Sequence, residues 1–196
     1  MLRPTRRIGL KPDGRATQTP PMLIVITGPI ASGKSAVAGE VARELERSGV
    51  RAAVIDLDLV YDALVGAAAG SGDATWTRAR AEAATRANGL LRDGVAVVIA
   101  EGSFNRPADR TAFSAHLDPD TGPVYVTLKV SFAEALRRAQ RDPTRGKSRD
   151  PAFLGGYFAT NRQAFAAVPS TDLVIDTEQM TMTAAAEAIA RLVLRD

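Results

Sequence analysis

One stretch of the chain has the residue types and the spacing of a phosphate-binding loop. It reads Gly28-Pro29-Ile30-Ala31-Ser32-Gly33-Lys34-Ser35, which fits the pattern G-x-x-x-x-G-K-[ST]. In such a loop the backbone N–H groups surround phosphate oxygens, Lys34 reaches the β- and γ-phosphates, and the Ser35 hydroxyl binds Mg²⁺. We therefore predict that residues 28–36, including the following Ala36, bind a nucleoside triphosphate together with Mg²⁺.

Carboxylates follow the next two predicted strands. Asp56 and Asp58 come directly after the apolar run 52–55, and Glu101 follows the apolar run 95–99. Phosphoryl transfer needs a held metal ion, an oriented acceptor and stabilised charge. We predict that Asp56 holds Mg²⁺ through water, that Asp58 binds the acceptor hydroxyl and takes its proton, and that Glu101 binds substrate hydroxyls or assists at the metal. The alternatives are a helix N-cap for Asp58 and a surface acid at a turn for Glu101.

A basic segment near residue 145 is the strongest charge feature outside the glycine loop. Within residues 137–149 only Asp142 opposes the basic side chains, which are Arg137, Arg138, Arg141, Arg145, Lys147 and Arg149. Pro143 and Gly146 make its middle non-helical, so we predict a loop hinged between two helices that closes over ATP as a lid. Arg141 and Arg149 are the predicted catalytic arginines, while Arg137 and Arg138 have the alternative of a solvated helix end.

Two further groups of side chains are candidates for substrate contacts. Arg78 and Arg80 lie early in a predicted helix beside Trp76, and we include Arg78 as a candidate substrate-binding residue for an anionic acceptor. The alternative is an exposed helix face. Phe153, Tyr157 and Phe165 have helical spacings, which favour core positions over the alternative of a base-stacking platform.

The predicted elements alternate between strands and helices and would position these residues. The first strand, 23–26, precedes the glycine loop, and a helix over 35–48 follows it. Further strands are predicted at 52–55, 95–99, 124–130 and 173–175, and further helices at 59–65, 74–92, 107–117, 132–142, 151–168 and 183–194. This alternation predicts an α/β fold with a parallel sheet, helices on both faces and ligands at the carboxyl ends of the strands.

Length and composition favour a single domain over residues 22–196. The 196 residues include no cysteine, which excludes disulfides, a thiol nucleophile and Cys-ligated metal. Residues 1–21 have five basic residues against one acidic residue and four prolines, so we predict a disordered basic arm there. The total net charge is +3, which leaves −1 for residues 22–196 and makes nucleic acid an unlikely partner. No apolar run suits a membrane span or signal peptide, so we predict a cytoplasmic protein.

These motifs together resemble the small-molecule kinases of the P-loop superfamily. The resemblance is carried by the glycine loop, Asp56-x-Asp58, Glu101-Gly102, the arginine-rich segment and the strand end Leu173-Val174-Ile175-Asp176-Thr177, over about residues 22–196. Shikimate kinase, gluconate kinase, adenylylsulfate kinase and chloramphenicol phosphotransferase are the nearest types. The resemblance implies a three-layer fold with sheet order 2-3-1-4-5, a mobile lid and Mg-ATP-dependent phosphorylation of a hydroxyl.

The resemblance also implies roles for individual residues. Asp58 would contact the acceptor hydroxyl and Asp56 the metal, while Arg141 and Thr177 would lie at the adenine and Arg149 would be the lid arginine. Two departures stand against shikimate as the acceptor. Glu101-Gly102-Ser103 replaces the Gly-Gly pair of shikimate kinase, and the lid arginine is followed by Asp150 instead of proline.

The leading hypothesis is an ATP-dependent kinase whose acceptor is a sugar, an antibiotic or another hydroxylated metabolite, acting as a monomer or homodimer. Two alternatives stay open. A polynucleotide-end kinase shares the glycine loop and the Asp-x-Asp pair but needs a basic groove with interleaved aromatic residues. A nucleotide-dependent ATPase or switch would have no acceptor and would leave Asp58 without a chemical task.

Overall fold

The computed structural model describes residues 21–66 and 72–194. The predicted basic arm, residues 1–21, therefore lies outside the described residues except for Pro21. None of the helices within these ranges is long and apolar enough to cross a membrane.

Strands and helices alternate along most of the chain. The strands are β1 (Met22–Thr27), β2 (Ala52–Asp56), β3 (Val97–Glu101), β4 (Pro123–Lys129) and β5 (Leu173–Asp176). The helices are α1 (Lys34–Arg47), α2 (Leu57–Gly66), α3 (Asp73–Arg92), α4 (Pro107–Ser114), α5 (Phe132–Arg141), α6 (Pro151–Thr160), α7 (Arg162–Ala166) and α8 (Met182–Leu194). A 3₁₀ turn, Lys147–Arg149, lies between α5 and α6.

The five strands form one parallel sheet in the order β2-β3-β1-β4-β5. This confirms the predicted fold class and the sheet order implied by the resemblance. β1 is the central strand, and its apolar residues from Leu23 onward are buried. Such burial on both faces explains why the strand reads as a continuous apolar run. The phosphate loop consequently leaves the middle of the sheet at its carboxyl edge.

Alternate residues of β1 pack into separate hydrophobic cores, one on each face of the sheet. Ile24 and Ile26 pack with α1 and α8 on one face, and Leu23 and Val25 pack with α2, α3 and α4 on the other. This alternation follows from the two-residue period of a strand. The protein therefore has three layers, with helices on both sides of the sheet.

Most boundaries differ from those predicted by a few residues, and two of the differences bear on the site. β3 begins at Val97 instead of residue 95, because the Val95 amide still bonds to the Leu90 carbonyl and the Ala96 amide to the Arg51 carbonyl. At its other end, β3 extends to Glu101, so Glu101 is the last residue of the strand instead of following it. The helix predicted over 151–168 is two helices, because the chain leaves helical geometry at Asn161.

Candidate active site

The glycine loop forms a tight cradle between β1 and α1. A Cβ atom at Gly28 would lie 2.5 Å from the carbonyl oxygen of Leu128, so no larger residue fits there. Gly33 at the N-terminus of α1 has φ +94°, which favours glycine. Lys34 donates from Nζ to the carbonyl oxygens of Gly28 and Pro29 at 3.3 and 3.1 Å. The Lys34 side chain therefore folds back over the first two residues of the loop.

The loop contains polar groups that suit a phosphate. The Ser32 hydroxyl is fully buried and has no hydrogen-bond partner among the described residues, an arrangement that costs free energy unless a ligand satisfies it. Burial lowers the pKa of Lys34, although the charges of Glu101 and Asp58 oppose this effect. Phosphate oxygens would offer the Lys34 ammonium more favourable partners than two carbonyl groups do. The cradle therefore fits the triphosphate expected from its sequence.

Glu101 lies beside the phosphate loop because β3 is the neighbour of β1. The Glu101 side chain is buried, with 3% of the residue exposed. Burial raises its pKa to about 7, while a hydrogen bond from the Ser35 hydroxyl and the charge of Lys34 hold it down. The alternative of a surface acid is therefore wrong. The structure brings Glu101 to the two residues of the loop that are expected to bind phosphate and metal.

Asp56, the last residue of β2, is the N-cap of α2. Its Oδ1 accepts hydrogen bonds from the amides of Asp58 and Leu59 at 2.8 and 3.2 Å. The alternative that Asp58 caps this helix is therefore wrong. Asp56 is instead oriented by the helix, and its second carboxylate oxygen makes no hydrogen bond within the described part of the chain.

Asp58 is left free to face a cleft beside the phosphate loop. The residue is exposed at the cleft, yet neighbouring atoms withdraw its carboxylate from bulk water. This desolvation raises the pKa of Asp58, and the Lys34 ammonium opposes the rise. Lys34, Asp58 and Glu101 consequently form one electrostatically linked cluster.

The cleft next to this cluster has a volume of about 870 Å³, within the size range of small-molecule sites. The phosphate loop, α2, α3, the 3₁₀ turn and α6 all contribute to its walls. Its lining includes Lys34, Asp58, Tyr61, Trp76, Arg80 and Tyr157. A phosphate-binding loop and an acidic residue of α2 thus share one concave space.

Arg80, and not Arg78, lines the cleft. Arg78 is exposed and lies outside the cleft lining. Arg80 is buried with 4% exposure, pairs with Asp109 at 3.1 Å and donates to the Ser103 carbonyl at 2.9 Å. A signal for this burial exists in the sequence, because Arg80 lies three and four residues before Ala83 and Ala84 on the apolar face of α3.

Arg145 is the residue of the arginine-rich segment whose charge acts on the cluster. The Arg145 charge contributes to lowering the pKa of Lys34, after burial, and acts on Asp58 as well. Arg145 also pairs with Asp142 at 3.2 Å. Arg141 and Arg149 are exposed, and their side chains form no ion pair within the described residues. The sequence contained Arg145 but offered no feature that distinguished it from its neighbours.

Thr177 ties the end of β5 to the structure around it. Its hydroxyl donates to the Lys129 carbonyl at 3.0 Å and accepts from Arg138 Nη1 at 2.9 Å. Arg138 Nη2 also donates to the Thr177 carbonyl at 2.7 Å. Arg138 is therefore a structural link between α5 and the β5 end, and not only a solvated helix residue.

Tyr157 and Phe153 line the cleft although their spacing predicted core positions. The Tyr157 ring also packs against Phe158 and Phe165, with centroid distances of 5.9 and 5.8 Å. Burial raises the pKa of Tyr157 to about 12, and an interaction with the Ile30 amide opposes this. Tyr157 thus belongs both to a hydrophobic cluster and to the cleft wall.

Comparisons with known proteins bear on the family and the fold of this chain. A family model described as an AAA domain matches residues 23–152. No curated protein shows significant sequence similarity to the chain.

Solved structures with the same fold include three proteins whose names refer to antibiotic resistance or to small-molecule kinases. The tunicamycin resistance protein of Deinococcus radiodurans has a TM-score of 0.62 and 20% identity, over 89% of this chain and 96% of that one. A gluconokinase from Sinorhizobium meliloti has a TM-score of 0.59 and 19% identity, covering 90% and 95%. Shikimate kinase from Acinetobacter baumannii, solved with shikimate, has a TM-score of 0.57 and 20% identity, covering 90% and 94%.

The resemblance to P-loop small-molecule kinases is thus confirmed at the level of the fold. Because the family model spans more than half of the residues, this chain belongs to that family of AAA domains and has the P-loop kinase fold.

Proposed function

We propose that this protein transfers the γ-phosphoryl group of ATP to a hydroxyl of a small molecule, such as a sugar, an antibiotic or a related metabolite. One observation carries the proposal. Asp58 belongs both to the charge cluster around Lys34 and to the wall of the adjoining cleft. A phosphate held by the loop and a hydroxyl held in the cleft would therefore meet at this carboxylate.

The donor ATP would bind at the carboxyl edge of the sheet. Residues 28–36 would hold its phosphates through backbone N–H groups and Lys34, and Arg141 and Thr177 would lie at the adenine. Among the described residues no three acidic or histidine side chains form a preformed metal cage. Mg²⁺ in phosphoryl transfer commonly relies on one or two carboxylates, substrate phosphates and water, and the oxygens of Ser35, Asp56 and Glu101 suit it.

Bound Mg²⁺ would neutralise charge on the phosphate oxygens during transfer. In the proposed step the acceptor oxygen forms a bond to the γ-phosphorus, and the bond from phosphorus to the β–γ bridging oxygen breaks to release ADP. Asp58 orients the acceptor hydroxyl and takes its proton, for which a raised pKa is suited. Lys34, Arg145 and Arg149 stabilise the negative charge on the transferred group.

Glu101 acts on the metal side in this proposal. The carboxylate interacts with the Ser35 hydroxyl and is the register partner of Asp56, so three oxygen-bearing side chains converge beside the loop. Arg78 has no part in the proposal, because it lies away from the cleft. We further propose a cytoplasmic location, where ATP is available, and a monomeric or homodimeric state.

Structural neighbours support the reaction class. Two of them are named as kinases of gluconate and shikimate, and both have the same fold at about the full length of this chain. The shared class of reaction is what we carry over to this protein.

The proposal can be tested with γ-labelled ATP and a fractionated metabolite pool. The native protein should transfer label to at least one small molecule. Asp58→Asn should retain ATP binding and lose transfer, Lys34→Ala should lose ATP binding, and the remote exposed control Asp120→Asn should retain both. Hydrolysis alone across the pool would indicate an ATPase or switch, and label on oligonucleotide ends would indicate a polynucleotide-end kinase. Either result would contradict the proposal.

A further inference from the structure

Arg80 lines the cleft, but its positive charge is already paired with a buried carboxylate. Arg80 and Asp109 are each 4% exposed as side chains and pair at 3.1 Å. Arg80 also donates to the Ser103 carbonyl from two guanidinium nitrogens. A buried guanidinium with these partners has little left to offer to a carboxylate or phosphate of the acceptor.

The second arginine of this wall, Arg106, pairs with the same carboxylate, although half of its side chain is exposed. Arg106 donates to both carboxylate oxygens of Asp109 at 3.2 and 3.0 Å. The Asp73 carboxylate adds a second negative charge that acts on Arg80 and Arg106. Two arginines and two aspartates therefore give this wall no net charge.

Helix α2 contributes two carboxylates on one helix face to the cleft lining. Asp58 and Asp62 are one turn apart on α2, at the i, i+4 spacing that places side chains side by side. Both line the cleft, and the two charges interact. The Asp62 carboxylate has no hydrogen bond or ion pair within residues 21–66 and 72–194. It is therefore available to a ligand.

Aromatic rings line the cleft beside these carboxylates. Tyr61 and Trp76 stack with a centroid distance of 4.0 Å and an interplanar angle of 18°. The Tyr61 hydroxyl is fixed by a hydrogen bond from the Gly72 amide at 3.2 Å. Phe153 and Tyr157 form a further part of the lining. Aromatic faces attract cations, and the Trp76 ring already has the Arg80 guanidinium 5.9 Å from its centroid. The remaining aromatic surface of the lining and the carboxylates favour the same sign of ligand charge.

We propose that the acceptor is a cyclic alcohol that also carries a protonated amine. Its hydroxyl would face Asp58, its ammonium would bind Asp62 about one helix turn away, and its ring would pack against Tyr61 and Trp76. This inference rests on the proposed kinase function and names its substrate class. The remaining cations of the cleft, Lys34 and Lys147, belong to the phosphate loop and the lid, which in the proposed function face ATP.

The test measures binding separately from transfer, with Trp76 as the reporter. Trp76 is the single tryptophan of the chain, so its fluorescence reports on this cleft. The protein is saturated with Mg²⁺ and a non-hydrolysable ATP analogue. It is then titrated with cyclic amino alcohols, beginning with glucosamine, and with the N-acetyl and carboxylic acid counterpart of each.

We expect the responsive amines to bind at least about tenfold more tightly than their N-acetyl counterparts, because a charge-assisted hydrogen bond to Asp62 is lost on acetylation. Asp62→Asn should remove most of this preference, and Asp120→Asn should preserve it. Unchanged nucleotide binding would show that Asp62→Asn is folded. A carboxylic acid that binds as tightly as its amine, a preference that survives Asp62→Asn, or no response to any amine would overturn the inference.

This design distinguishes failure of the inference from failure of the proposed function. A charge preference without phosphoryl transfer would contradict the kinase proposal and leave the ligand class standing. Transfer to neutral or anionic acceptors with no preference for amines would contradict the proposed ligand class and leave the kinase proposal standing.

Discussion

Asp56 and Glu101 are register partners across the parallel pair β2–β3, so two carboxylates end neighbouring strands side by side. Asp56 is fixed by capping α2, and Glu101 is buried next to Ser35 and Lys34. The cap is a local contact, whereas the pairing of Asp56 with Glu101 joins residues that lie far apart along the chain. The pair forms the acidic edge of the candidate metal site.

The pH dependence of activity should reflect the titration of Glu101. Its pKa of about 7 in the free protein means that the carboxylate needed on the metal side forms only as the pH rises through that value. We expect kcat/KM for ATP to increase through about pH 7 and Glu101→Gln to lower it by about 10- to 100-fold. Steady-state kinetics across the pH range would check this. A Glu101→Gln variant with native kcat/KM would contradict the metal-side role.

Glu101 should also make folding stability depend on pH. Burial raises its folded pKa from 4.5 to about 7, so the folded state retains a proton that the unfolded state has released between these values. Stability should therefore fall as the pH rises through this window. Glu101→Gln lacks this loss, and its stability relative to the native protein should be greater at pH 8 than at pH 5 by up to about 3 kcal/mol.

Urea unfolding at the two pH values measures this difference. Asp120→Asn, at an exposed loop position, is the matched control and should shift little between them. Equal effects of Glu101→Gln at both pH values would show that the carboxylate does not titrate as described.

Breaking the buried pair of Arg80 and Asp109 should be costly. Asp109→Ala leaves a 4% exposed guanidinium without its partner, and we expect a loss of about 3–5 kcal/mol in the free energy of unfolding. Replacing both residues, as in Arg80→Met with Asp109→Leu, should recover much of it. The exposed pair Arg86–Glu82 is the control, and Glu82→Ala should cost no more than about 0.5 kcal/mol. Chemical denaturation compares all variants, and equal losses for the two pairs would refute the distinction.

Arg145 and Arg149 should differ in their effect on the pH profile. Burial raises the pKa of Asp58, and Arg145 is among the charges that oppose the rise. Arg145→Ala should thus move the acid limb of the transfer profile to higher pH. Arg149→Ala should lower kcat/KM for ATP without moving that limb, because Arg145 and not Arg149 is among the main charges that act on Asp58. Identical shifts in both variants would count against this assignment.

Gly102, which follows Glu101, packs closely against the first residue of α2. Gly102 has φ +155°, and a Cβ atom there would lie 2.5 Å from the Leu57 Cβ. Gly102→Ala should therefore destabilise the protein by about 1–3 kcal/mol. The matched control is Gly156→Ala in α6, where a Cβ meets open space and helix propensity favours alanine. Thermal unfolding measures both changes, and a neutral Gly102→Ala would show that the contact relaxes.

The phosphate loop shows how far sequence reasoning extended. The residues expected to bind phosphate and metal are neighbours along the chain. Local backbone geometry explains the glycines, and contacts to phosphate and Mg²⁺ explain Lys34 and Ser35. The apolar runs likewise predicted the strand positions to within a few residues, because a buried strand is a continuous apolar stretch of the chain. Arg80 was missed in favour of Arg78, although its spacing from Ala83 and Ala84 indicated the buried side of α3. Its partner Asp109 on α4 is a long-range contact that the local pattern does not contain.

The sequence by itself therefore determined the alternation of elements, the phosphate-binding loop and the set of acidic and basic side chains at the strand ends. Only the tertiary structure decided which of them act together. Parallel pairing brought Glu101 beside Ser35, capping of α2 took up one oxygen of Asp56, and the Asp109 carboxylate neutralised Arg80. The first and third outcomes are contacts between residues far apart along the chain, which local sequence patterns do not contain. The second is a local choice between Asp56 and Asp58 as the helix cap, and the pattern Asp-x-Asp does not say which of them takes that position.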